Sequence, residues 1–206
     1  MSIVVHLIDT LTEWAQKNIC DHILLKVPPA NEDEAVDAGY AYQTVKPVAF
    51  PMYVPTSEKL PPNVRSPFPS LCVRFLTGED TLADGGGSLD VQFVFATWDP
   101  GTHGKDILVP ASTDGKRWTS GGDSTHFQRN ADGWRDAWNF LDIARRSVES
   151  VTQIGGYTID RNTPIKFGPL TEQEAIADLY PFWFAWLSFR VNYPLMRNIE
   201  EFKNFL

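Results

Sequence analysis

Residues 180–193, YPFWFAWLSFRVNY, have the most strongly apolar pattern in the chain. Because successive side chains of a β-strand point to opposite faces, this segment predicts a strand with one fully apolar face. That face consists of alternate residues: Trp183, Ala185, Leu187, Phe189 and Val191. The other face begins with Phe182, Phe184 and Trp186 and then becomes polar. These three aromatic side chains need cover from another layer of the same chain or from another chain.

Two other segments have the spacing of amphipathic helices. Apolar residues recur every three or four positions over residues 3–19 and again over residues 132–151. Trp14, Trp134 and Trp138 fall on the apolar faces of these helices. Asp132 is a suitable N-cap for the second helix, because its side chain can accept a hydrogen bond from a free backbone N–H group.

Alternating patterns predict the remaining strands. Residues 70–76 and 88–98 alternate between apolar and polar side chains, and the acidic, glycine-rich sequence TGEDTLADGGG joins them, as expected for a long β-hairpin. Shorter predicted elements are strands over residues 22–27 and 45–54, one or two strands within 157–167, and a short helix over 171–177.

Together these elements predict an α+β fold, with an antiparallel sheet flanked by helices. We expect a single domain over residues 1–193, with a proline-rich segment at 28–69 and an inserted loop at 99–131. The loop is long for a compact domain, which is typical of an arm or a functional loop. Residues 194–206 are predicted to form a C-terminal arm as a short helix or extended segment.

Composition narrows the functional classes. The chain has 206 residues and a formal charge of −8, which argues against a protein whose main task is to grip nucleic acid. We find no signal-peptide pattern and no apolar run long enough for a bilayer, so we expect a protein made in the cytoplasm. Cys20 and Cys72 are too few and too far apart for a disulfide framework.

Chemical motifs are weak. Asp99, His103 and Asp106 lie in one loop, but their Gly/Pro-rich context favours a loop over a metal site, and we predict no metal and no cofactor. Trp98 and Trp118 remain available for a ligand or a partner. A nucleophile signature such as Gly-x-Ser-x-Gly is absent from the sequence. We therefore expect a protein that is not an enzyme.

Three motifs follow one another along the chain: Pro67-Phe68-Pro69 before a strand and Gly78-Glu79-Asp80, then Gly133-Trp134-Arg135-Asp136 at a helix start, then Tyr180-Pro181-Phe182-Trp183-Phe184. In this order they resemble the tail terminator (tail-to-head joining) proteins of long-tailed bacteriophages and prophages. The resemblance covers roughly three quarters of the chain. The long loop at 99–131 and the segment after Tyr193 depart from the family pattern.

The resemblance implies a non-enzymatic virion protein with an α+β sandwich fold. Such proteins close as a ring, usually a hexamer, on the end of the tail tube, stop its polymerisation and offer a surface to the head connector or stopper. The implied location is the tail-head junction of the virion, after assembly in the host cytoplasm. DNA would pass through the ring without specific binding, and no membrane is involved.

Residue candidates follow from this picture. Phe182, Phe184 and Trp186 are candidates for burial between subunits. Acidic residues of the hairpin tip are candidates for facing the lumen or the tube: Glu79, Asp80, Asp84 and Asp90. The alternatives are another neck protein, such as a stopper or head completion protein, and a small-molecule or sugar-binding domain that uses the 99–131 loop as its pocket.

Overall fold

A mostly antiparallel β-sheet with two helices on one of its faces forms the centre of this mixed α+β fold. The computed structural model describes residues 2–29, 43–81, 85–103, 108–114, 116–120, 127–129, 132–172, 175–176 and 179–194. The helices are α1 (Ile3–Asn18) and α2 (Trp134–Glu149). The strands are β1 (Leu25–Val27), β2 (Gln43–Val45), β3 (Val48–Pro51), β4 (Ser70–Thr81), β5 (Gly86–Trp98), β6 (Gly101–His103), β7 (Leu108–Pro110), β8 (Trp118–Ser120), β9 (Phe127–Arg129), β10 (Gln153–Ile154), β11 (Tyr157–Ile159), β12 (Lys166–Pro169), β13 (Thr171–Glu172), β14 (Ala175–Ile176) and β15 (Phe182–Pro194).

Within the described residues the main sheet has seven strands. Six follow the order β10–β11–β15–β5–β4–β3, and β12 pairs with β15 beside β11. β15 pairs with β5 along its whole length, from Phe182 opposite Trp98 to Pro194 opposite Gly86. All pairings in this sheet are antiparallel except that of β3 with β4. The predicted aromatic strand is thus confirmed as a long central element.

The core lies between the sheet and the two helices. α1 contributes Leu7 and Leu11, and α2 contributes Phe140, whose ring meets that of Phe95 edge-on at 5.0 Å between centroids. Alternate residues of the three long strands complete it: Leu71, Val73, Leu89, Val91, Phe93, Phe95, Ala185, Leu187, Phe189 and Val191. We call the side of the sheet that these residues share the helix face, and the opposite side the outer face.

Both predicted helices and the long hairpin are confirmed, with differences at their ends. Gly133, not Asp132, is the N-cap of α2, and no side chain caps it. Asp132 instead lies 3.5 Å from the Arg135 guanidinium. Trp134 was expected on the buried face of the helix but is 43% exposed, because it occupies the first helical position at the edge of the sheet.

Three shorter predictions were wrong in whole or in part. The helix expected over residues 171–177 is replaced by the two short strands β13 and β14, which pair with each other. The strand expected over 22–27 is shortened, because a 3₁₀ turn at Cys20–His22 precedes β1. The strand expected over 45–54 narrows to β3, and β2 pairs with β1.

The insertion at 99–131 contains a β-hairpin arm. β6 pairs with β9, and farther along the chain β7 pairs with β8, so the second pair lies within the first in sequence. Both pairs are antiparallel, which is the pairing of strands that follow each other in a hairpin. We refer to residues 101–129 as the arm.

Some predictions concern residues outside the described part of the chain. These include Asp84, Asp106 and the C-terminal arm after Pro194. Neither helix in the described ranges is long and apolar enough to cross a membrane.

Candidate interaction surface on the outer face

The outer face changes from apolar to polar along β15. Three cross-strand pairs at its start are apolar: Phe182 with Trp98, Phe184 with Ala96, and Trp186 with Val94. The pairs that follow are polar: Ser188 with Gln92 and Arg190 with Asp90. This division arises because β15 and β5 both keep strict alternation, so residues of the same register share a face.

We call Phe182, Phe184 and Trp186 the aromatic patch. All three side chains are half-buried in the single chain. Phe68, which lies between two prolines, covers part of the patch: its ring centroid is 4.7 Å from that of Phe182 and 6.3 Å from that of Phe184. Trp186 donates a hydrogen bond from Nε1 to the Pro169 carbonyl at 2.9 Å. Cover from the same chain is therefore real but incomplete.

An apolar cavity adjoins the patch at the edge of the sheet. β12 ends with Pro169 opposite Ala185, so the start of β15 extends past it. The cavity in this space has a volume of about 360 Å³ and is lined by Trp134, Trp138, Pro169, Leu170, Phe182, Trp183 and Phe184. An aromatic lining without a charged side chain suits an apolar side chain or an uncharged ligand.

The polar end of the outer face is held by an ion pair. Arg190 donates from Nε to Asp90 Oδ1 at 2.7 Å and from its second nitrogen to Oδ2 at 3.0 Å. These hydrogen bonds lower the pKa of Asp90. Glu79 lies 3.8 Å from the same guanidinium, and its side chain is 66% exposed.

The acidic candidates of the hairpin therefore do not form one surface. The register places Glu79 and Asp90 on the outer face. Asp80 lies opposite Gly87 and is therefore on the helix face. There Tyr193 donates a hydrogen bond to Asp80 Oδ1 at 2.8 Å. Burial and the Asp80 carboxylate raise the pKa of Tyr193 to about 12. The Glu79 side chain is 66% exposed, against 27% for Asp90.

Two of the residues considered for metal or ligand binding near the arm, Asp99 and Trp98, are buried parts of the body. Asp99 is buried and forms a 2.7 Å ion pair with Lys26, itself largely buried. We expected Trp98 to be available for a ligand or a partner, and this was wrong. Its side chain is only 4% exposed. The structure does not describe the side chains of His103 and Trp118. Within the described residues, no group of three His, Cys, Asp or Glu side chains could hold a metal ion.

The base of the arm is firmly attached to the body. Asp99 N–H donates to the Pro181 carbonyl at 3.0 Å, and Trp183 Nε1 donates to the Asp99 carbonyl at 2.9 Å. The Tyr180 hydroxyl donates to the Pro100 carbonyl at 2.6 Å. Asp136 lies nearby, and burial followed by the Asp99 charge raises the pKa of its carboxyl group. The strand that carries the aromatic patch thus also positions the arm.

Sequence reasoning identified the aromatic patch but missed Phe68 and the cavity. A signal for Phe68 was present, since an aromatic residue between two prolines in an extended segment can lie across a sheet. The cavity depends on where β12 ends relative to β15, which no local pattern shows.

Comparisons with known proteins add no family assignment to this geometry. No model of a known protein family matches the chain, and no curated protein matches it.

Proposed function

We propose that the chain is a structural virion protein, a tail terminator of a long-tailed phage or prophage. In this proposal it adopts the α+β sandwich of that family and closes as a ring, with six copies as the expected number, on the end of the tail tube. The ring ends tube polymerisation and presents a surface to the head connector or stopper. The motifs Pro67-Phe68-Pro69, Gly133-Trp134 and Tyr180-Pro181-Phe182 support the proposal through their resemblance to that family.

The observation that carries the proposal is the aromatic patch. Phe182 and Phe184 remain half-buried although Phe68 packs on both. An adjoining apolar cavity and the exposed Trp134 extend this surface across the sheet edge. Contiguous apolar surface of this kind marks interaction sites. A ring requires two different complementary surfaces on each subunit, and the patch is a candidate for one of them.

Charge is compatible with DNA passage through such a ring. Each copy has a formal charge of −8, so the assembled ring would repel phosphate rather than bind it. Glu79 is the candidate of choice for the lumen or tube side, because its side chain is exposed on the hairpin. Asp90 is a poorer candidate, since Arg190 already pairs with it.

A charge-insertion experiment tests the patch. We expect Phe184→Glu to weaken self-association by at least tenfold, because a carboxylate would have to be buried at the subunit contact. Phe167→Glu is the matched control, since Phe167 is 46% exposed but lies on the helix-side surface against Trp138. Sedimentation velocity would measure association, and thermal melting would show that both variants fold.

Leu187→Glu separates folding from assembly. Leu187 is fully buried in the core, so this change should abolish folding of the monomer. Equal association of Phe184→Glu and wild type would contradict the role of the patch.

Electron microscopy of purified tails tests the biological role. Tails made without the protein should have uncontrolled tube length if it is a terminator. Tails of normal length that fail to join heads would instead assign it to another neck role, such as a stopper or head completion protein. Normal tails that join heads would overturn both.

The cavity supports one rival, a domain that binds a small apolar molecule. Its volume of about 360 Å³ and its aromatic lining would suit a compact uncharged ligand. A stable monomer whose melting temperature rises with such a ligand, with no effect on tails, would favour this rival.

A further inference from the structure

The described residues of the arm form two antiparallel strand pairs. Among the described residues, its strands pair only with each other: β6 with β9 and β7 with β8. An isolated two-stranded hairpin is only marginally stable in water. The described strand pairs of the arm would therefore gain stability from contacts outside their own two strands.

The body holds the arm at its base. The Lys26–Asp99 ion pair, with 2.7 Å between Nζ and Oδ1, lies directly before β6. Asp99 Oδ1 also accepts a hydrogen bond from the Gly101 N–H at 2.9 Å, which ties this carboxylate to the first residue of the arm. At the other end of the insertion, Gly133 packs against Asp99, with no space for a side chain. Both ends of the insertion are thus fixed at one point.

The turn of the arm presents positive charge. Asp114 is directed into the turn, where it accepts hydrogen bonds from the Ser112 hydroxyl and from the Lys116 N–H. Lys116 and Arg117 are exposed, and neither forms an ion pair with a residue that the structure describes. The chain as a whole has 18 Lys and Arg against 26 Asp and Glu. Over the arm the balance is reversed: Lys105, Lys116, Arg117 and Arg129 against Asp106, Asp114 and Asp123.

We propose that the arm of one copy docks on the acidic body of a neighbouring copy, with Lys116 and Arg117 making its charged contacts. The proposal rests on the ring proposed above and names the second element that joins its subunits. Opposite charge on the two surfaces steers such an encounter and sets its register. The contacts would also supply the arm with the packing that two strands lack.

A matched pair of charge reversals tests the arm. The variant K116E/R117E reverses the arm tip, and K59E/R65E reverses two exposed basic residues of the body and changes the net charge equally. We expect the arm variant to associate about tenfold more weakly than wild type, as the loss of two exposed charge contacts implies. Its association should also depend less on salt than that of wild type. The body variant should lose little affinity and keep the salt dependence.

Sedimentation velocity at low and high salt distinguishes the outcomes, with thermal melting to confirm folding of both variants. If both variants associate like wild type, or are weakened equally, the arm does not dock and the proposed ring still stands. If wild-type protein never self-associates, alone or on tail tubes, both proposals fail. Normal association of K116E/R117E with loss of binding to a double-stranded DNA fragment would assign the arm to nucleic acid and overturn the proposal.

Discussion

At Asp90, two hydrogen bonds from the Arg190 guanidinium stabilise the charged carboxylate and lower its pKa. At Asp136, burial and then the nearby Asp99 charge act in the opposite direction and raise the pKa. The same type of side chain therefore contributes to stability with opposite signs. An unfolded aspartate has a pKa of about 3.9, which sets the reference for both residues.

Single replacements by asparagine should reveal the two signs. Asp90 contributes its full stabilisation of the fold above the pKa of an unfolded aspartate, and this stabilisation is lost as pH falls through the lower pKa of folded Asp90. D90N should therefore be less stable than wild type at pH 7. The cost of ionised Asp136 is absent at low pH and develops as pH rises through the raised folded pKa. D136N should therefore be more stable than wild type at pH 7.

Urea unfolding at pH 7 and at about pH 3 would measure both effects. At the lower pH the difference between each variant and wild type should shrink, because the unfolded reference is then largely protonated. Destabilisation of similar size by D136N at both values would show that the side chain acts through packing instead.

At the scale of elements, Gly133 joins the start of α2 to the base of the arm. A Cβ atom on Gly133 would lie 2.8 Å from the carbonyl oxygen of Asp99 and 2.7 Å from the Cβ atom of Asp99. It would lie closer still to Trp183 Nε1. Gly133→Ala would disrupt the hydrogen bond from Trp183 Nε1 to that carbonyl, so we expect a loss of about 2–3 kcal/mol in unfolding free energy.

Gly86→Ala is the control for this prediction. A Cβ atom at Gly86 would meet its nearest neighbour, the Tyr193 carbonyl oxygen, at 3.9 Å, which is an ordinary contact. Urea unfolding should show little change for this variant. Equal stability of Gly133→Ala and wild type would mean that α2 and Asp99 can separate without cost.

Helices and strands whose apolar residues recur at a regular spacing could be predicted from the sequence. The spacing of Leu7 and Leu11 in α1 and the alternation in β5 and β15 are local consequences of helix and strand geometry. The cap of α2 was misplaced by one residue: Asp132 has the better intrinsic capping side chain, but the N-cap is Gly133, which packs closely against Trp183 and Asp99. Residues 171–177 were misassigned since their short apolar pattern fits either element, and tertiary context decides between them.

The residues of the aromatic patch could also be predicted from the sequence, but their cover by other residues could not. Alternation alone placed Phe182, Phe184 and Trp186 on one face, and the register of β15 with β5 confirms that they share it. Their partial cover by Phe68 depends on the path of the proline-rich segment, which has no periodic signal. Asp80 was grouped with Glu79 by proximity in sequence, but alternation at the hairpin tip places them on opposite faces.

At the scale of the whole molecule, two buried thiols lie in separate layers. Cys20 is in the turn after α1, and Cys72 is in β4 on the outer face. Burial raises the pKa of both thiols above its usual value. Because the thiolate is the reactive form, both cysteines should be protected in the folded protein.

Thiol labelling at pH 8 can therefore test whether the two layers unfold together. If the helices and the sheet form one cooperative unit, Cys20 and Cys72 should react with Ellman's reagent at the same rate, roughly 1,000-fold or more slower than in urea-unfolded protein. The single variants C20A and C72A would assign each rate. Faster reaction of Cys72 alone would show that the cover of the outer face opens without global unfolding. Docking of a neighbouring subunit on the aromatic patch should then slow that reaction selectively, which links local opening of this face to assembly.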